Sequence, residues 1–156
     1  MNAEQKNFIE VVGAIASADM KNSGVAASLT TAQAILESAW GKSELTKTGN
    51  ALFGIKATKD WKGKTLTRKT TEYEDGKKVQ VEAEFRAYDT WEDSVKDHSA
   101  FLKKYTRYAK VIGETDYKEA CNAVADAGYA SDQEYAKKLI ELIETYELYN
   151  YDTKNT

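Results

Sequence analysis

Thr31-Ala32-Gln33-Ala34-Ile35-Leu36-Glu37-Ser38-Ala39-Trp40-Gly41-Lys42-Ser43-Glu44 is the stretch that decides how this chain folds. It reads as a short apolar helix stopped by Gly41. One carboxylate, Glu37, sits in its most apolar part, with Ala34, Ile35 and Leu36 before it and Ser38, Ala39 and Trp40 after it. Glutamate is a good helix former and is routine on the wet side of an amphipathic helix. Buried, it must be paired, hydrogen-bonded or protonated. A protonated glutamate beside a cleft is what a general acid has to be at neutral pH. The residues of this stretch leave both readings open.

Working outward, the helix begins between Val25 and Thr31. Thr30 with Gln33 would form a capping box there, and Ser28 is a competing cap. Ile35, Leu36 and Ala39 are expected to face the core. Thr30, Gln33, Ala34 and Glu37 share another face at spacings of three and four. The helix is thus central, with a narrow edge open to a cleft. Before it, Phe8, Ile9, Val12, Ile15 and Ala16 mark a first helix over residues 4–20, stopped at Lys21-Asn22-Ser23-Gly24.

After it, residues 45–64 read as irregular, with Gly49, Asn50 and Gly54 around Ala51-Leu52-Phe53, and Trp61-Lys62-Gly63-Lys64 forming a turn. The period then changes. Glu74-Asp75-Gly76-Lys77 is a hairpin signal between strands at about 65–74 and 77–87. Glu72 sits shortly before that turn. Three helices follow: 91–104 capped by Thr90, about 117–126 capped by Asp116 with Glu119, and roughly 132–148 capped by Ser131 with Glu134. The stripe Trp91, Val95, His98 and Leu102 makes His98 a core histidine and Trp91 a packing ring. Five helices around one hairpin predict an α+β fold, a mainly helical body with a small β-hairpin lobe flanking a cleft.

The length of 156 residues suits a single domain, expected over 1–150 with a frayed tail at 151–156. A net charge of −3 gives no reason to expect nucleic acid. Cys121 is the only cysteine, which excludes an internal disulfide, and no Cys/His cluster resembles a zinc site. Ten tyrosines suit sugar faces, protein interfaces or a core. Met1 to Glu10 has neither the basic start nor the apolar run of a signal peptide. No stretch reaches the roughly 20 apolar residues of a membrane span.

Two carboxylates stand out together, Glu37 on the apolar helix and Glu72 on the hairpin. Glycoside hydrolysis uses such a pair: one protonates the leaving oxygen, the other activates water or stabilises the sugar cation. On pattern alone the pairing is weak among 25 acidic residues. The plain alternative puts Glu72 on a wet strand face beside Lys69 or Arg68.

Four motifs then converge. Ala32-Gln33-Ala34-Ile35-Leu36-Glu37-Ser38-Ala39-Trp40-Gly41-Lys42-Ser43 resembles the signature of the glucosaminidases of glycoside hydrolase family 73, lysozyme-like enzymes that cut peptidoglycan. Asn50-Ala51-Leu52-Phe53-Gly54-Ile55-Lys56 is similar to the family's Asn-Leu-Phe-Gly-Ile-Lys, with Ala51 as an added residue. Phe85-Arg86-Ala87-Tyr88-Asp89-Thr90-Trp91 with Ser94 resembles the segment leaving the family's hairpin. Gly128-Tyr129-Ala130-Ser131-Asp132 with Tyr135-Ala136 and Leu139 is similar to its Tyr-Ala-Thr-Asp motif, with Ser131 in place of Thr.

The resemblance implies a lysozyme-like fold and an endo-β-N-acetylglucosaminidase acting on peptidoglycan glycan strands, with N-acetylmuramidase action or wall binding without turnover as alternatives. It implies Glu37 as catalytic acid, Glu72 as second carboxylate, and Tyr129 as holder of the substrate's acetamido group if that group attacks instead. It implies Asn50, Phe53 and Gly54 as the loop lining the sugar cleft. No cofactor or metal is expected, and the protein is expected to be a monomer. Action on the bacterial cell wall without a signal peptide fits a phage endolysin released by another lysis protein, or an excised domain of a secreted autolysin.

Overall fold

The computed structural model describes residues 1–153. Helix α1 (Ala3–Ser23) opens on a reciprocal cap between Asn2 and Gln5 and ends on left-handed Gly24. Helix α2 (Ala27–Ser38) follows almost at once and is buried without a break from Ala27 to Ile35. It is the central helix, as its composition predicts. Val12 and Ala16 of α1, Val95 and Leu102 of α4 (Trp91–Lys104), Cys121 and Val124 of α5 (Tyr117–Asp126), and Leu139 and Ile143 of α6 (Tyr135–Thr145) belong to the same core. Strands β1 (Thr65–Glu74) and β2 (Lys77–Arg86) pair antiparallel through the Asp75-Gly76 turn, where both residues have positive φ. This is the expected α+β arrangement of a helical body with one hairpin lobe.

Several boundaries differ from the sequence reading. Residues 45–64 are not irregular throughout: α3 (Glu44–Gly49) forms a short helix capped by Ser43, so six helices surround the hairpin among the described residues. Helix α2 has no Thr30–Gln33 capping box. Its N-cap is Ala26, and both Thr30 and Gln33 lie inside the helix. The cap comes from the other end of the chain. Asp152 accepts hydrogen bonds from the Ser28 amide and hydroxyl, each at 2.7 Å. A carboxylate at a helix N-terminus satisfies orphan N–H groups whichever residue supplies it, and an i, i+3 pattern has no means of showing a partner 124 positions away.

The same contact corrects the frayed tail. Leu148–Tyr151 forms a 3₁₀ turn, and the Tyr151 ring lies 2.6 Å from where a Cβ on Gly13 would stand. Residues 151–153 therefore belong to the body, while 154–156 lie outside the described residues. Helix α6 starts at Tyr135 rather than 132. Ser131 and Glu134 do not cap it, and Asp132 instead accepts from the Glu134 amide at 2.9 Å. Asp116 caps α5 through the Lys118 amide, without reciprocation from Glu119.

The lobe is tied to the body at its base. Arg86 donates from its amide to the Ile55 carbonyl (2.9 Å), and the Ala57 amide donates to the Glu84 carbonyl (2.8 Å). The Arg86 guanidinium, covered by Trp61, pairs with half-buried Asp97 on α4 at 3.2 Å, and Tyr88 donates to the same carboxylate. The hairpin thus leaves the body as a stem, and beyond this base the Lys56–Glu72 ion pair, at 3.0 Å, ties β1 back to the body.

Candidate active site

Glu37 occupies the last turn of α2, immediately before a strained reversal. Ala39, Trp40 and Gly41 all have positive φ, at 51°, 61° and 80°. Two of these are not glycine, and each such residue costs roughly 1–2 kcal/mol. Several contacts hold the turn. Ser38 donates to the Ala34 carbonyl and accepts from the Gly41 amide, and the Trp40 ring packs edge-on against Phe8 and Tyr146. Gly41 leaves room for the Phe8 ring, 3.0 Å from where its Cβ would stand. The helix therefore ends at Ser38 rather than at Gly41. Leu36 and Ala39, expected in the core, are exposed, because the reversal turns this edge outward.

That edge opens on a cleft of about 600 Å³, lined by Glu37, by Phe53, Gly54 and Lys56, by Phe101, Tyr105, Arg107 and Tyr108, and by Gly128 to Ser131. The volume is in the usual range for a ligand site. Glu37 reaches solvent along the cleft, yet the protein packed around its carboxyl raises its pKa by desolvation. The Tyr135 hydroxyl opposes this in part by donating to Oε1 at 3.2 Å. An acid that is open to a ligand but shifted toward its protonated form can give a proton near neutral pH. A second cavity of about 290 Å³, beside Trp61, Lys64 and Asp97, also holds carboxylates. There Asp97 is already bound to Arg86 and Tyr88, and Asp89 to Lys64.

Behind Glu37 lies a buried polar cluster that brings together His98, expected in the core, and Gln33, expected on the face of Glu37. Gln33, one turn earlier on α2, donates from Nε2 to the Tyr135 hydroxyl at 3.0 Å. Its Oε1 meets His98 Nε2 at 2.9 Å. His98 is fully buried, and desolvation pushes its pKa down to about 3, so it is neutral. Its ring stacks on Phe53 with centroids 4.0 Å apart. One signal for this cluster was available: Gln33 shares the face of Glu37. Nothing in the sequence tied that face to positions 98 and 135.

The other expected residues divide between the cleft and its frame. Gly54 and Tyr129 line the cleft with Glu37. The Tyr129 ring lies parallel to Tyr135, its hydroxyl is buried without a partner among the described residues, and burial holds its pKa well above the usual value. A neutral phenol in this position is a spare donor. Phe53 belongs to the cleft lining but is buried, and one face of its ring supports His98. Asn50 is outside the lining. It takes the left-handed position that ends α3, and its amide donates to the carbonyls of Tyr88 and Asp89, at 3.1 Å each. Ala51, the added residue, is buried with its carbonyl bonded to the Thr46 hydroxyl. Glu72 is also outside the lining. It lies on the half-buried face of β1, paired with Lys56 at 3.0 Å rather than with Lys69 or Arg68. Lys56 itself lines the cleft, so the ion pair connects Glu72 to the rim. Tyr105 and Tyr108 also line the cleft. Cys121 is buried, and its pKa is pushed up to about 12, mainly by desolvation, which leaves it an inert thiol.

Residues 13–148 match the family described as glucosaminidase, mannosyl-glycoprotein endo-beta-N-acetylglucosaminidase. The chain belongs to this glucosaminidase family. The match agrees with the family indicated by the four sequence motifs. This glucosaminidase-family chain is 40% identical over 157 residues to the exo-glucosaminidase LytG of Bacillus subtilis (strain 168), an alignment covering 97% of the chain and 55% of LytG. It is 36% identical over 145 residues to the peptidoglycan hydrolase FlgJ of Escherichia coli (strain K12), covering 90% of the chain and 46% of FlgJ. It thus spans about half the length of these curated relatives. Its fold superposes with a TM-score of 0.88 on the catalytic domain of the autolysin Auto from Listeria monocytogenes, at 34% identity, covering 97% of this chain and 89% of that one.

Proposed function

We propose that this glucosaminidase-family domain is a glycoside hydrolase that cleaves β-1,4 bonds of peptidoglycan glycan strands in the bacterial cell wall, as an endo-β-N-acetylglucosaminidase. The observation that carries the reading is Glu37: a desolvated carboxyl with a raised pKa, open to an aromatic-lined cleft. The names of LytG and FlgJ, a glucosaminidase and a peptidoglycan hydrolase, support the substrate class.

In this reading Glu37 gives its proton to the glycosidic oxygen, and the bond to the anomeric carbon breaks as positive charge grows there. Glu72 is the second carboxylate, brought in from the lobe to activate a water. If the substrate's acetamido oxygen attacks the anomeric carbon instead, Tyr129 is the group placed to donate to it. Gly54 and its neighbouring backbone line the sugar path, while Asn50 and the Phe53 ring hold the loop in shape. Aromatic rings along the cleft suit the apolar faces of sugar rings. No helix of the described residues is long and apolar enough to cross a membrane.

The test is mass spectrometry of borohydride-reduced products from purified peptidoglycan, with wild type and Glu37→Gln side by side. Reduced N-acetylglucosamine ends in long fragments, absent with Glu37→Gln, are expected. Reduced muramic acid ends would make the domain a muramidase. Release of disaccharides alone from the outset would place it with exo-acting LytG. Wall binding without product would mean that turnover is lost.

A further inference from the structure

Three hydrogen bonds link the cleft acid to a histidine buried in the core, and they have a direction. His98 Nε2 faces Gln33 Oε1, and an amide oxygen only accepts, so His98 is the donor and carries its proton on Nε2. The same amide orientation turns the Gln33 nitrogen to the Tyr135 hydroxyl, to which it donates. With its oxygen already accepting from Gln33, Tyr135 directs its own proton to Glu37 Oε1. We propose that His98, Gln33 and Tyr135 are positioning residues that make Glu37 Oε1 a permanent acceptor and so place the acid proton on Oε2, the oxygen left free for a ligand.

The reverse polarity shows what the chain prevents. With the proton on His98 Nδ1, Nε2 would accept, Gln33 would turn over, and Tyr135 would donate to its amide oxygen. The Tyr135 oxygen could then accept from Glu37, holding the acid proton inward. Burial opposes that state. His98 Nδ1 has no partner among the described residues, and an orphaned buried N–H is rarer in folded proteins than an orphaned acceptor. The ring cannot easily turn, because it is stacked on Phe53 and sits edge-on to Tyr129. The neutral form is also enforced, since His98 lies with no solvent exposure in the apolar core. The same loop residue that edges the cleft, Phe53, thus holds the far end of the chain.

The inference rests on the reading of Glu37 as the acid, and its first test does not use activity. The carboxyl carbon of Glu37 is titrated by NMR in wild type, Tyr135→Phe and Gln33→Met. Removing the Tyr135 donor should raise the pKa of Glu37, since a hydrogen bond to a carboxylate favours its charged form. Gln33→Met should raise it less, because an unpolarised hydroxyl is a weaker donor. The other titratable groups lining the cleft around Glu37 are Tyr129 from the 128–131 loop, Lys56, whose partner Glu72 lies outside the lining, and Tyr105, Arg107 and Tyr108 after α4. None is altered by these variants. A loosened site that let water in would instead lower the Glu37 pKa, so a fall or no change in Tyr135→Phe overturns the proposal.

The second readout is kinetic. Tyr135→Phe should lower kcat by roughly 10- to 100-fold with KM within about twofold, the scale of a misplaced catalytic group. The basic limb of kcat/KM should move to higher pH. Adding Gln33→Met to Tyr135→Phe should then cost less than about twofold more, because the link to Glu37 is already cut. Independent, multiplying losses would overturn the chain beyond Tyr135. A shifted Glu37 pKa with unchanged turnover in both Tyr135→Phe and Glu37→Gln would show that the chain tunes Glu37 while the assignment of Glu37 as acid fails.

Discussion

His98 is the only histidine of the chain, and its burial gives a measurable pH dependence of stability. In the folded protein its pKa is pushed down to about 3 by desolvation, against 6.5 for a free imidazole. Below pH 6.5 the unfolded chain takes up a proton that the folded chain refuses until near pH 3. His98 therefore costs no stability above about pH 7 and costs progressively more as the pH falls. At pH 5 the unfolded imidazole is about 97% protonated, which amounts to a loss of about 2 kcal/mol, and at pH 4 to about 3 kcal/mol. For a chain of this size about 2 kcal/mol corresponds to a Tm lower by roughly 4–8 °C. Glu37 and Asp152 titrate with the opposite sign. Their folded pKa values are raised, so they favour the folded state at low pH and lose that contribution as pH rises. The assay must therefore be a difference: thermal or urea unfolding of wild type and His98→Gln, at pH 7.5 and pH 5. Glutamine retains a donor for Gln33 and does not titrate. Its cost at pH 7.5 from the lost stacking is expected to shrink by about 2 kcal/mol at pH 5. An identical gap at the two pH values would refute the reasoning, because it would mean that folded His98 binds its proton as readily as the unfolded chain does.

Glu37→Gln should leave Tm and glycan binding nearly unchanged while turnover falls by at least about 10²-fold, the lower bound for losing a general acid. Turbidity clearance of purified walls measures it, and loss of folding instead would make Glu37 structural. Glu72→Gln should lower kcat by roughly 10²–10⁴. A loss under about tenfold in the same assay would transfer the charge-stabilising role to the substrate's acetamido group and Tyr129. Asp152→Ala should cost about 1–2 kcal/mol in urea unfolding, the scale of a lost helix cap, since α2 has no other side-chain cap. Gly49→Ala should also destabilise, because its Cβ would lie 2.5 Å from Leu66 Cδ1 and 3.1 Å from Ala87 Cβ. Lower stability together with faster proteolysis at the hairpin base is the expected outcome.

The elements built from nearby residues were legible in the sequence. The Asp75-Gly76 hairpin, the Thr90 cap of α4 and the Gly24 stop of α1 all depend on backbone geometry within a few positions, and the structure has each of them. The central place of α2 was also readable, because a helix apolar on most of its surface has to be covered on most of its surface. The family was readable because its four motifs occur in order along almost the whole chain.

What depended on distant partners was not readable. The cap of α2 comes from Asp152, the hydroxyl beside Glu37 from Tyr135, and the ring behind Phe53 from His98. Periodicity marks which face of a helix is buried but not what it meets, so Gln33 on the face of Glu37 and His98 in the core gave no sign that they touch. The outward turn of Leu36 and Ala39 was hidden for a related reason. A reversal through two non-glycine left-handed residues is unfavourable locally and is held by contacts such as the packing of the Trp40 ring and the bonds of Ser38. By itself the sequence determined that an acidic residue sits in an apolar helix next to a hairpin lobe. Only the tertiary structure decided that this acid is dried by its neighbours yet open to a cleft, because desolvation and hydrogen-bond direction come from groups that meet only after the chain has folded.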